Sequence, residues 1–430
     1  MTNKPNSNAL SLQLLADRSL IRAASHSTRY FTATLVAPTA EPREQRLPVN
    51  VALVLDRSGS MSDARKFDLA REAVEAALGM LRKIDRFSLV VYDDHIDVLA
   101  RSTLATESAR SNALRALAEI QPRGSTDLGG GWLTGCEQVA EHLDREGVNR
   151  CLLLTDGLAN HGITDHEELA MHARELRVRG VVTSTIGVGA DFDERLLRDL
   201  AHEGGGTFTF IEGAAQIREA LTAELGEAAE VTVQEASIHV SAPEGVRVEV
   251  LNRFRSHTDR ASGGLVVALG DLVSNQEITV TFAATFPKGE IGERLGIRVS
   301  ALEHDHSVAG ADAELAWKFA NHTENDAQAR ERAVDRAVAS VFASRARAEA
   351  TEANRRGDLS AAKRVLMGTA KRIKSYAAND DALGRLACAL EESVVEYGVA
   401  EMSPHALKAS FYANENALKS RTPAGRATRR

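Results

Sequence analysis

Short apolar runs alternate with segments of helical periodicity between residues 49 and 225. Residues 49–55 (VNVALVL) and 151–154 (CLLL) lack a polar–apolar alternation, which is typical of parallel strands covered on both faces. Intervening segments such as 67–81 place apolar residues three and four positions apart, as in amphipathic helices. This order predicts an α/β fold, a doubly wound domain with a mainly parallel sheet.

The regions on both sides of the α/β segment have the features of β-strands. Residues 10–24 and 29–38 are two strand-like segments, and the second is rich in β-branched and aromatic side chains. Six further strand-like segments lie between residues 231 and 319. Because the early strands need a sheet to join, we expect a β-sandwich built from both flanks, into which the α/β domain is inserted. From residue 324 the apolar spacing is helical, which predicts an α-helical C-terminal region.

These patterns divide the chain into expected domains. They are a disordered tip at 1–8, N-terminal strands joining the sandwich at 9–47, the α/β domain at 48–226, the β-sandwich at 227–322, a helical C-terminal domain at 323–420 and a basic, disordered tail at 421–430. The net charge of −8 is uneven, since the C-terminal quarter is net basic and the rest is strongly acidic. An uneven charge of this kind agrees with separate domains.

Composition narrows the functional classes. Aromatic residues make up 4% of the chain, which argues against a nucleic-acid-binding protein that stacks bases. The three cysteines lie far apart and form no metal-binding spacing, which favours free thiols in a reducing compartment. The start of the chain lacks a signal-peptide pattern, and no apolar run is long enough to cross a membrane. We therefore expect a cytoplasmic protein that does not contact the membrane.

Hydroxyl and carboxyl side chains follow the apolar strands. Asp56, Ser58 and Ser60 come directly after the first of them, Asp156 follows a later one, and Thr126 lies in a loop before a helix. The carboxyl ends of parallel strands lie at one edge of the sheet, where ligands bind. Two carboxylates and three hydroxyls form an all-oxygen set, which suits Mg²⁺ or Mn²⁺ better than Zn²⁺. Only two of these groups carry charge, so a bound ion would still attract a further acidic ligand.

These residues resemble the metal-ion-dependent adhesion site of von Willebrand factor type A domains. The pattern Asp56-x-Ser58-x-Ser60, then Thr126, then Asp156 followed by a glycine has all five positions in order. The preceding apolar strand, the Gly-Ser-Thr loop and the sequence Leu-Leu-Leu-Thr-Asp-Gly make the match more specific. The resemblance covers residues 49–225, which is less than half of the chain.

The resemblance implies a fold and a mechanism. The fold would be that of the integrin inserted domain. Ser58 and Ser60 would bind Mg²⁺, or Mn²⁺ or Ca²⁺, directly, Thr126 directly or through water, and the two aspartates largely through water. An acidic side chain of a protein partner would complete the coordination, and its binding would be coupled to movement of the helix at 214–225. The layout with a β-sandwich also resembles stand-alone bacterial proteins of this family.

Other interpretations of the same residues are less complete. The aspartate–serine loop alone could be a helix N-cap and turn, but Thr126 and Asp156 would then have no role. A haloacid-dehalogenase-like phosphatase needs a second aspartate where Ser58 stands. A serine hydrolase needs a GxSxG elbow, which this loop does not form. The glycines at 129–131 lack the lysine of a phosphate-binding loop, and we expect them to allow a close approach to the metal loop.

The sequence therefore predicts a Mg²⁺-dependent protein-interaction module and not an enzyme. Two alternatives remain open. One is an adaptor or co-factor subunit of an AAA+ ATPase or a metal-chelatase-type machine, and the other is a structural scaffold with a stabilising metal. Neither nucleic acid nor a membrane is an expected partner, whereas a homo-oligomer is compatible with the sequence.

Overall fold

Two compact units make up the described part of the chain. The structure is a computed structural model and describes residues 9–40 and 46–430. One unit spans residues 40–231, and the other combines the segments before and after it. The tip at 1–8, which we expected to be disordered, lies outside the described residues. Within the described ranges, no helix is both long enough and apolar enough to cross a membrane.

Three strands precede the α/β unit, namely β1 (Ser11–Ala16), β2 (Leu20–Arg22) and β3 (Ser27–Val36). The sequence predicted one strand-like segment over 10–24, whereas β1 and β2 belong to different sheets. Asp17 separates them, and its buried carboxylate accepts a hydrogen bond of 3.1 Å from the Tyr30 amide. A polar side chain held by β3 in this way ends β1 and redirects the chain.

The unit at 40–231 is built on a six-stranded sheet. Its strands are β4 (Val49–Asp56), β5 (Arg86–Tyr92), β6 (Ile96–Leu104), β7 (Val148–Thr155), β8 (Val182–Val188) and β9 (Gly205–Ile211). The order is β6-β5-β4-β7-β8-β9, and only β6 runs antiparallel to its neighbour. The expected α/β fold with a mainly parallel sheet is confirmed. Sequence analysis missed β6 because this edge strand carries many polar, exposed residues.

Six α-helices accompany these strands, five of them between strands and one after β9, and four begin at a capping side chain. They are α1 (Lys66–Met80), α2 (Glu107–Ala118), α3 (Leu128–Ala140), α4 (His166–Val178), α5 (Glu194–Glu203) and α6 (Ile217–Ala228). Short 3₁₀ helices, Gly59–Arg65 and Ala214–Gln216, precede α1 and α6. Thr106 and Asp127 cap α2 and α3 by accepting backbone hydrogen bonds. The amino end of α1, at Arg65, has no side-chain cap of this kind.

Seven strands follow the α/β unit. They are β10 (Val231–Ser241), β11 (Arg247–Val250), β12 (Arg255–Thr258), β13 (Leu265–Val273), β14 (Glu277–Phe286), β15 (Arg294–Glu303) and β16 (His306–Ala320). With the first three strands they form a four-stranded sheet, β1-β3-β14-β11, and a six-stranded sheet, β12-β13-β10-β15-β16-β2. β3 pairs antiparallel with β14 along its whole length, and β2 pairs parallel with β16.

One hydrophobic cluster contains side chains from both of these sheets. Phe31 of β3 stacks on Phe282 of β14 with ring centroids 4.8 Å apart, and it meets Trp317 of β16 edge-on at 6.0 Å. All three rings are fully buried. Because β3 precedes the α/β unit and the other two strands follow it, this core forms only when the two flanks of the chain meet.

The predicted helical C-terminal region is confirmed. It consists of α7 (His322–Ala327), α8 (Arg332–Arg355), α9 (Leu359–Ala377), α10 (Asp381–Gly398) and α11 (Pro404–Leu418). A small apolar cluster joins α8 to the four-stranded sheet, where Phe342 meets Tyr30 of β3 edge-on at 6.1 Å. The expected boundary at residue 323 is thus a change of secondary structure within one compact unit.

Residues 421–430, which we expected to be disordered, are ordered. Ala427 is 6% exposed, and the Glu277 amide of β14 donates a 2.7 Å hydrogen bond to the carbonyl of Thr428. The expectation was wrong because it used only the polar, basic composition of the segment. Composition does not show that the first residue of β14 offers a backbone hydrogen bond to residues 421–430.

Candidate metal centre

The predicted site lies where two neighbouring strands end. Asp56 is the last residue of β4, and Asp156 directly follows β7. The strands pair in parallel through Leu55 and Leu154, so both carboxylates emerge at the same edge of the sheet. β4 lies between β5 and β7 in the sheet. After β4 the chain forms β5 on one side of it, and it later returns to form β7 on the other side. This is the topological switch point, where open α/β sheets bind ligands.

The loop after β4 folds back onto both carboxylates. The Ser58 amide donates to Asp56 Oδ1 at 2.7 Å. The hydroxyls of Ser58 and Ser60 lie 3.2 Å apart, and Ser60 Oγ donates to Asp156 Oδ1 at 2.7 Å. A continuous series of hydrogen bonds therefore links the two carboxylates through the two serines.

Thr126 reaches the site from the loop between α2 and α3. Its amide donates to Asn160 Oδ1 at 2.8 Å, in the loop after β7. Gly124 has a φ of 70°, and its carbonyl accepts a 3.3 Å hydrogen bond from the Gly59 amide. The left-handed conformation explains the glycine at 124. These bonds tie the loop that carries Thr126 to the loops that carry the serines and the second aspartate.

The predicted oxygens gather beside Gly157. A β-carbon at Gly157 would lie 3.4 Å from Thr126 Oγ1, 3.7 Å from Asp56 Oδ2 and 3.8 Å from Ser60 Oγ. Three oxygens therefore surround one small volume next to the second aspartate. The structure brings all five predicted residues together at this point, namely Asp56, Ser58, Ser60, Thr126 and Asp156.

Thr155 is a residue of the site that sequence analysis missed. Its Oγ1 donates to Asp56 Oδ2 at 2.5 Å, and both residues are fully buried. Burial raises the pKa of Asp56 to about 6, although hydrogen bonds from Ser58 and Thr155 oppose the rise, and the nearby charge of Asp156 adds to it. The available signal for Thr155 was a hydroxyl at the end of an otherwise apolar strand.

Lys66 is a second residue that sequence analysis missed. It is the first residue of α1, and its Nζ lies 2.5 Å from Asp156 Oδ2. The side chain of Asp156 is 0% exposed and that of Lys66 is 14% exposed, so this ion pair is largely shielded from water. The available signal was a cation in the first turn of a helix, where the helix dipole disfavours positive charge.

The glycines of α3 allow the helix to pack closely on the sheet. A β-carbon at Gly131 would lie 2.4 Å from Cγ of Tyr92 on β5, and one at Gly135 would lie 2.2 Å from Cγ2 of Val54 on β4. We expected the glycines at 129–131 to allow a close approach to the metal loop. The expectation was wrong for Gly131, because its missing side chain makes room for the sheet.

A second acidic group lies after β5. Asp93, Asp94 and His95 offer ligand atoms within 4.8 Å of one another. Asp93 is fully buried and forms ion pairs with Arg57 at 3.1 Å and Arg123 at 2.8 Å. Because arginine cations already neutralise its buried member, the group is explained as an ion-pair network at the side of the site.

The donor set of the site fits a hard divalent cation. All five predicted ligands offer oxygen, from two carboxylates and three hydroxyls. Mg²⁺, Mn²⁺ and Ca²⁺ prefer oxygen ligands, whereas Zn²⁺ prefers thiolate and imidazole. Mg²⁺ in proteins also keeps several waters, which an incoming oxygen ligand can replace. The arrangement is therefore chemically suited to present an ion to an acidic group of another molecule.

The unit at 40–231, which contains the candidate metal centre, matches a known domain family. Residues 50–223 match the family model of the von Willebrand factor type A domain. This unit is a von Willebrand factor type A domain. VWA domains are in general non-catalytic modules of protein–protein interaction. The match covers less than half of the chain and ends before the strand β10.

Sequence similarity to known proteins extends beyond the VWA domain. "Uncharacterized protein YfbK" of Escherichia coli K12 is 25% identical in an alignment of 288 residues, which covers 64% of this chain and 48% of that protein. The chain thus spans about half the length of the curated relatives it matches.

Two solved structures share the fold over most of the chain. A von Willebrand factor type A protein from Catenulispora acidiphila has a TM-score of 0.69 and 19% identity, with 89% of this chain and 90% of that chain covered. The ArnB paralog VWA2 from Sulfolobus acidocaldarius has a TM-score of 0.58 and 16% identity, with 95% and 99% covered. At these identities the likeness concerns the fold alone.

Proposed function

We propose that this chain is a protein-interaction module whose VWA domain binds a divalent cation and uses it to hold an acidic side chain of a partner. The cation would be Mg²⁺, and Mn²⁺ and Ca²⁺ have the same ligand preference. Asp56, Ser58, Ser60, Thr126 and Asp156 would be its protein ligands. The convergence of three oxygens beside Gly157, next to a second buried carboxylate, is the observation that carries the proposal.

The five residues would have two roles. Ser58, Ser60 and Thr126 would offer neutral hydroxyl oxygens for direct ligation. Asp56 and Asp156 already accept hydrogen bonds from fixed donors, and they would supply negative charge, largely through water. Three neutral hydroxyl ligands and two carboxylates that act largely through water would leave the remaining coordination positions to exchangeable waters, which a further carboxylate can replace.

We also propose that the two flanking sheets are one β-sandwich that the VWA domain interrupts. The shared core around Phe31, Phe282 and Trp317 supports this organisation, because it combines strands from both flanks. A cytoplasmic location is part of the proposal. It is supported by the three free thiols, Cys136, Cys151 and Cys388, since disulfides are rare in reducing compartments.

Isothermal titration calorimetry with Mg²⁺ and Mn²⁺ tests the metal centre. The wild-type chain should bind about one ion through an all-oxygen site, and Asp56→Ala should lose this binding. Asp191→Ala, which removes an exposed carboxylate from the same VWA domain, is the matched control and should bind as the wild type does. A wild type that binds no ion, or an Asp56→Ala variant that binds equally well, contradicts the proposal.

Acetate tests whether the bound ion takes a carboxylate. Acetate should raise the affinity of the wild type for Mn²⁺, after correction for its binding to the free ion, because two ligands of one site that attract each other are reciprocally coupled. Acetamide has a similar shape without charge and is the matched control. Equal effects of acetate and acetamide contradict a site that selects carboxylates.

Affinity capture distinguishes the proposed function from its alternatives. The baits are the wild type and Asp56→Ala, each with Mg²⁺ and with EDTA. A protein retained only by the wild type with Mg²⁺, whose binding is then lost when one acidic residue of that protein is replaced, supports the proposal. If that protein has a Walker motif, the adaptor of an ATPase machine is the better description. Identical captured sets, together with metal-dependent thermal stability, favour the structural scaffold.

A further inference from the structure

Lys66 places an ammonium group inside the candidate metal centre. Its Nζ contacts Oδ2 of Asp156, and Ser60 holds the other oxygen of the same carboxylate. The side chain of Asp156 is fully buried, and that of Lys66 is 14% exposed. A cation bound to Asp156 would therefore either displace the ammonium from Oδ2 or lie close to it.

The local structure of α1 does not explain this lysine. A positive charge in the first turn of a helix opposes the helix dipole. The preceding residue, Arg65, is a second cation, has a φ of 60° and provides no side-chain cap. Arg65 pairs with Asp68 of the first turn at 3.6 Å, and the charge of Lys66 needs a compensating interaction of its own. The contact between Lys66 and a buried carboxylate supplies it.

The charges of the site show what the ammonium would do. Asp56 and Asp156 carry two negative charges, which would balance one divalent cation, and Lys66 adds one positive charge. A loaded site that includes Lys66 has an excess of one positive charge, and a carboxylate from outside would neutralise it. A loaded site without Lys66 would already be neutral.

We propose that Lys66 is a specificity-determining residue of the metal centre, an internal cation that competes with the divalent ion for Asp156. It weakens binding of the metal alone and leaves the loaded site in need of an anionic ligand. This inference rests on the proposed function, since it assigns a role at the same site. It concerns a residue outside the five predicted ligands.

Mn²⁺ titration of variants at position 66 tests the inference. Lys66→Met removes the charge and keeps most of the length, and Lys66→Gln removes the charge but keeps a hydrogen-bond donor for Asp156. Both should bind Mn²⁺ about tenfold more tightly than the wild type, which corresponds to about 1.4 kcal/mol. Lys66→Arg keeps the charge and should bind no more tightly than the wild type.

Lys83→Met is the matched control for the loss of one positive charge. Lys83 is exposed and follows the carboxyl end of α1, and a helix of this length spans about 22 Å, more than two Debye lengths at physiological salt. Its Mn²⁺ affinity should equal that of the wild type. Thermal unfolding in EDTA checks the fold of each variant, and Lys66→Gln replaces Lys66→Met if the latter does not fold.

The outcomes separate this inference from the proposed function. Tighter binding by the charge-free variants supports the inference. Equal binding by the wild type and these variants overturns the inference and leaves the proposed function intact. If only the charge-free variants bind Mn²⁺, Lys66 takes the place of the metal in the wild type, and the proposed function is wrong. If no variant binds, both are overturned.

Discussion

Thr155 Oγ1 donates a hydrogen bond of 2.5 Å to Asp56 Oδ2, and these two residues end the neighbouring strands β7 and β4. The other oxygen of Asp56 accepts a hydrogen bond from the Ser58 amide. Both oxygens of a fully buried carboxylate thus have donors that the sheet and the following loop hold in place. A ligand oriented in this way loses little conformational freedom when it binds an ion.

Replacing Thr155 by valine should weaken Mn²⁺ binding and destabilise the VWA domain. Valine has nearly the same shape but no donor, and a buried acceptor that loses its partner costs about 1–3 kcal/mol. Thr155→Ser keeps the hydroxyl and is the matched control. Denaturant unfolding in EDTA measures the stability, and calorimetry measures the metal affinity. If the valine and serine variants are equally stable, the hydrogen bond does not contribute.

Replacing Asp56 by asparagine should stabilise the protein in EDTA near about pH 8, and this advantage should disappear near about pH 4. Burial raises the folded-state pKa of Asp56 to about 6, above the ordinary value of 3.8. Below the ordinary pKa, Asp56 is protonated in both the folded and the unfolded state, so its burial costs no stability through a buried charge. As the pH rises from about 4 to about 6, the unfolded state ionises first, so the folded state of the wild type loses relative stability.

The difference in melting temperature between Asp56→Asn and the wild type, measured across pH, checks this prediction. The contributions of the other titratable groups cancel in this difference, because both proteins contain the same groups. In excess Mn²⁺ the wild type should become more stable than Asp56→Asn, since a bound ligand stabilises only the protein that binds it. A difference that does not change with pH would show that Asp56 titrates as it does in the unfolded chain.

Replacing Gly157 by alanine should weaken Mn²⁺ binding without unfolding the domain. The added methyl group would lie 3.4–3.8 Å from three of the proposed ligand oxygens, which is ordinary contact but fills the volume between them. We expect a loss of about tenfold in affinity, or about 1.4 kcal/mol.

Gly79→Ala is the matched control for this substitution. Gly79 lies in α1, and a β-carbon there would have no neighbour within 4 Å. This variant should keep the Mn²⁺ affinity and gain about 1 kcal/mol of helix stability. Equal affinities of the two variants would mean that the volume beside Gly157 is not used.

Removing residues 421–430 should destabilise the unit that contains the two flanking sheets. The segment provides the carbonyl of Thr428 to β14 and buries Ala427. Loss of its backbone hydrogen bonds and apolar contact should cost about 2–3 kcal/mol. Urea unfolding of the full and shortened chains measures the effect, and Mn²⁺ binding by the VWA domain serves as the internal control. Identical unfolding curves would show that the ordered segment adds no stability.

Local sequence was sufficient for most elements and insufficient for a few. The apolar run that forms β4 and the periodic segment that forms α9 were predicted because all of the necessary residues are contiguous. The strand β6 was missed because an edge strand needs no continuous apolar face. Residues 10–24 were predicted as one strand-like segment. The sequence spacing does not show that the Asp17 carboxylate accepts a hydrogen bond from the amide of Tyr30 in β3, at the point where β1 ends.

The sequence by itself determined the alternation of strands and helices. It also placed the five candidate ligands at or just beyond the ends of strands and before a helix, namely Asp56, Ser58, Ser60, Thr126 and Asp156. These are properties of neighbouring residues. Only the tertiary structure decided that Thr155 holds Asp56 and that Lys66 contacts Asp156. These contacts join residues 99 and 90 positions apart, and they exist because the parallel register of β4 and β7 brings the two strand ends together. No local pattern encodes that register, since it depends on the packing of helices on both faces of the sheet.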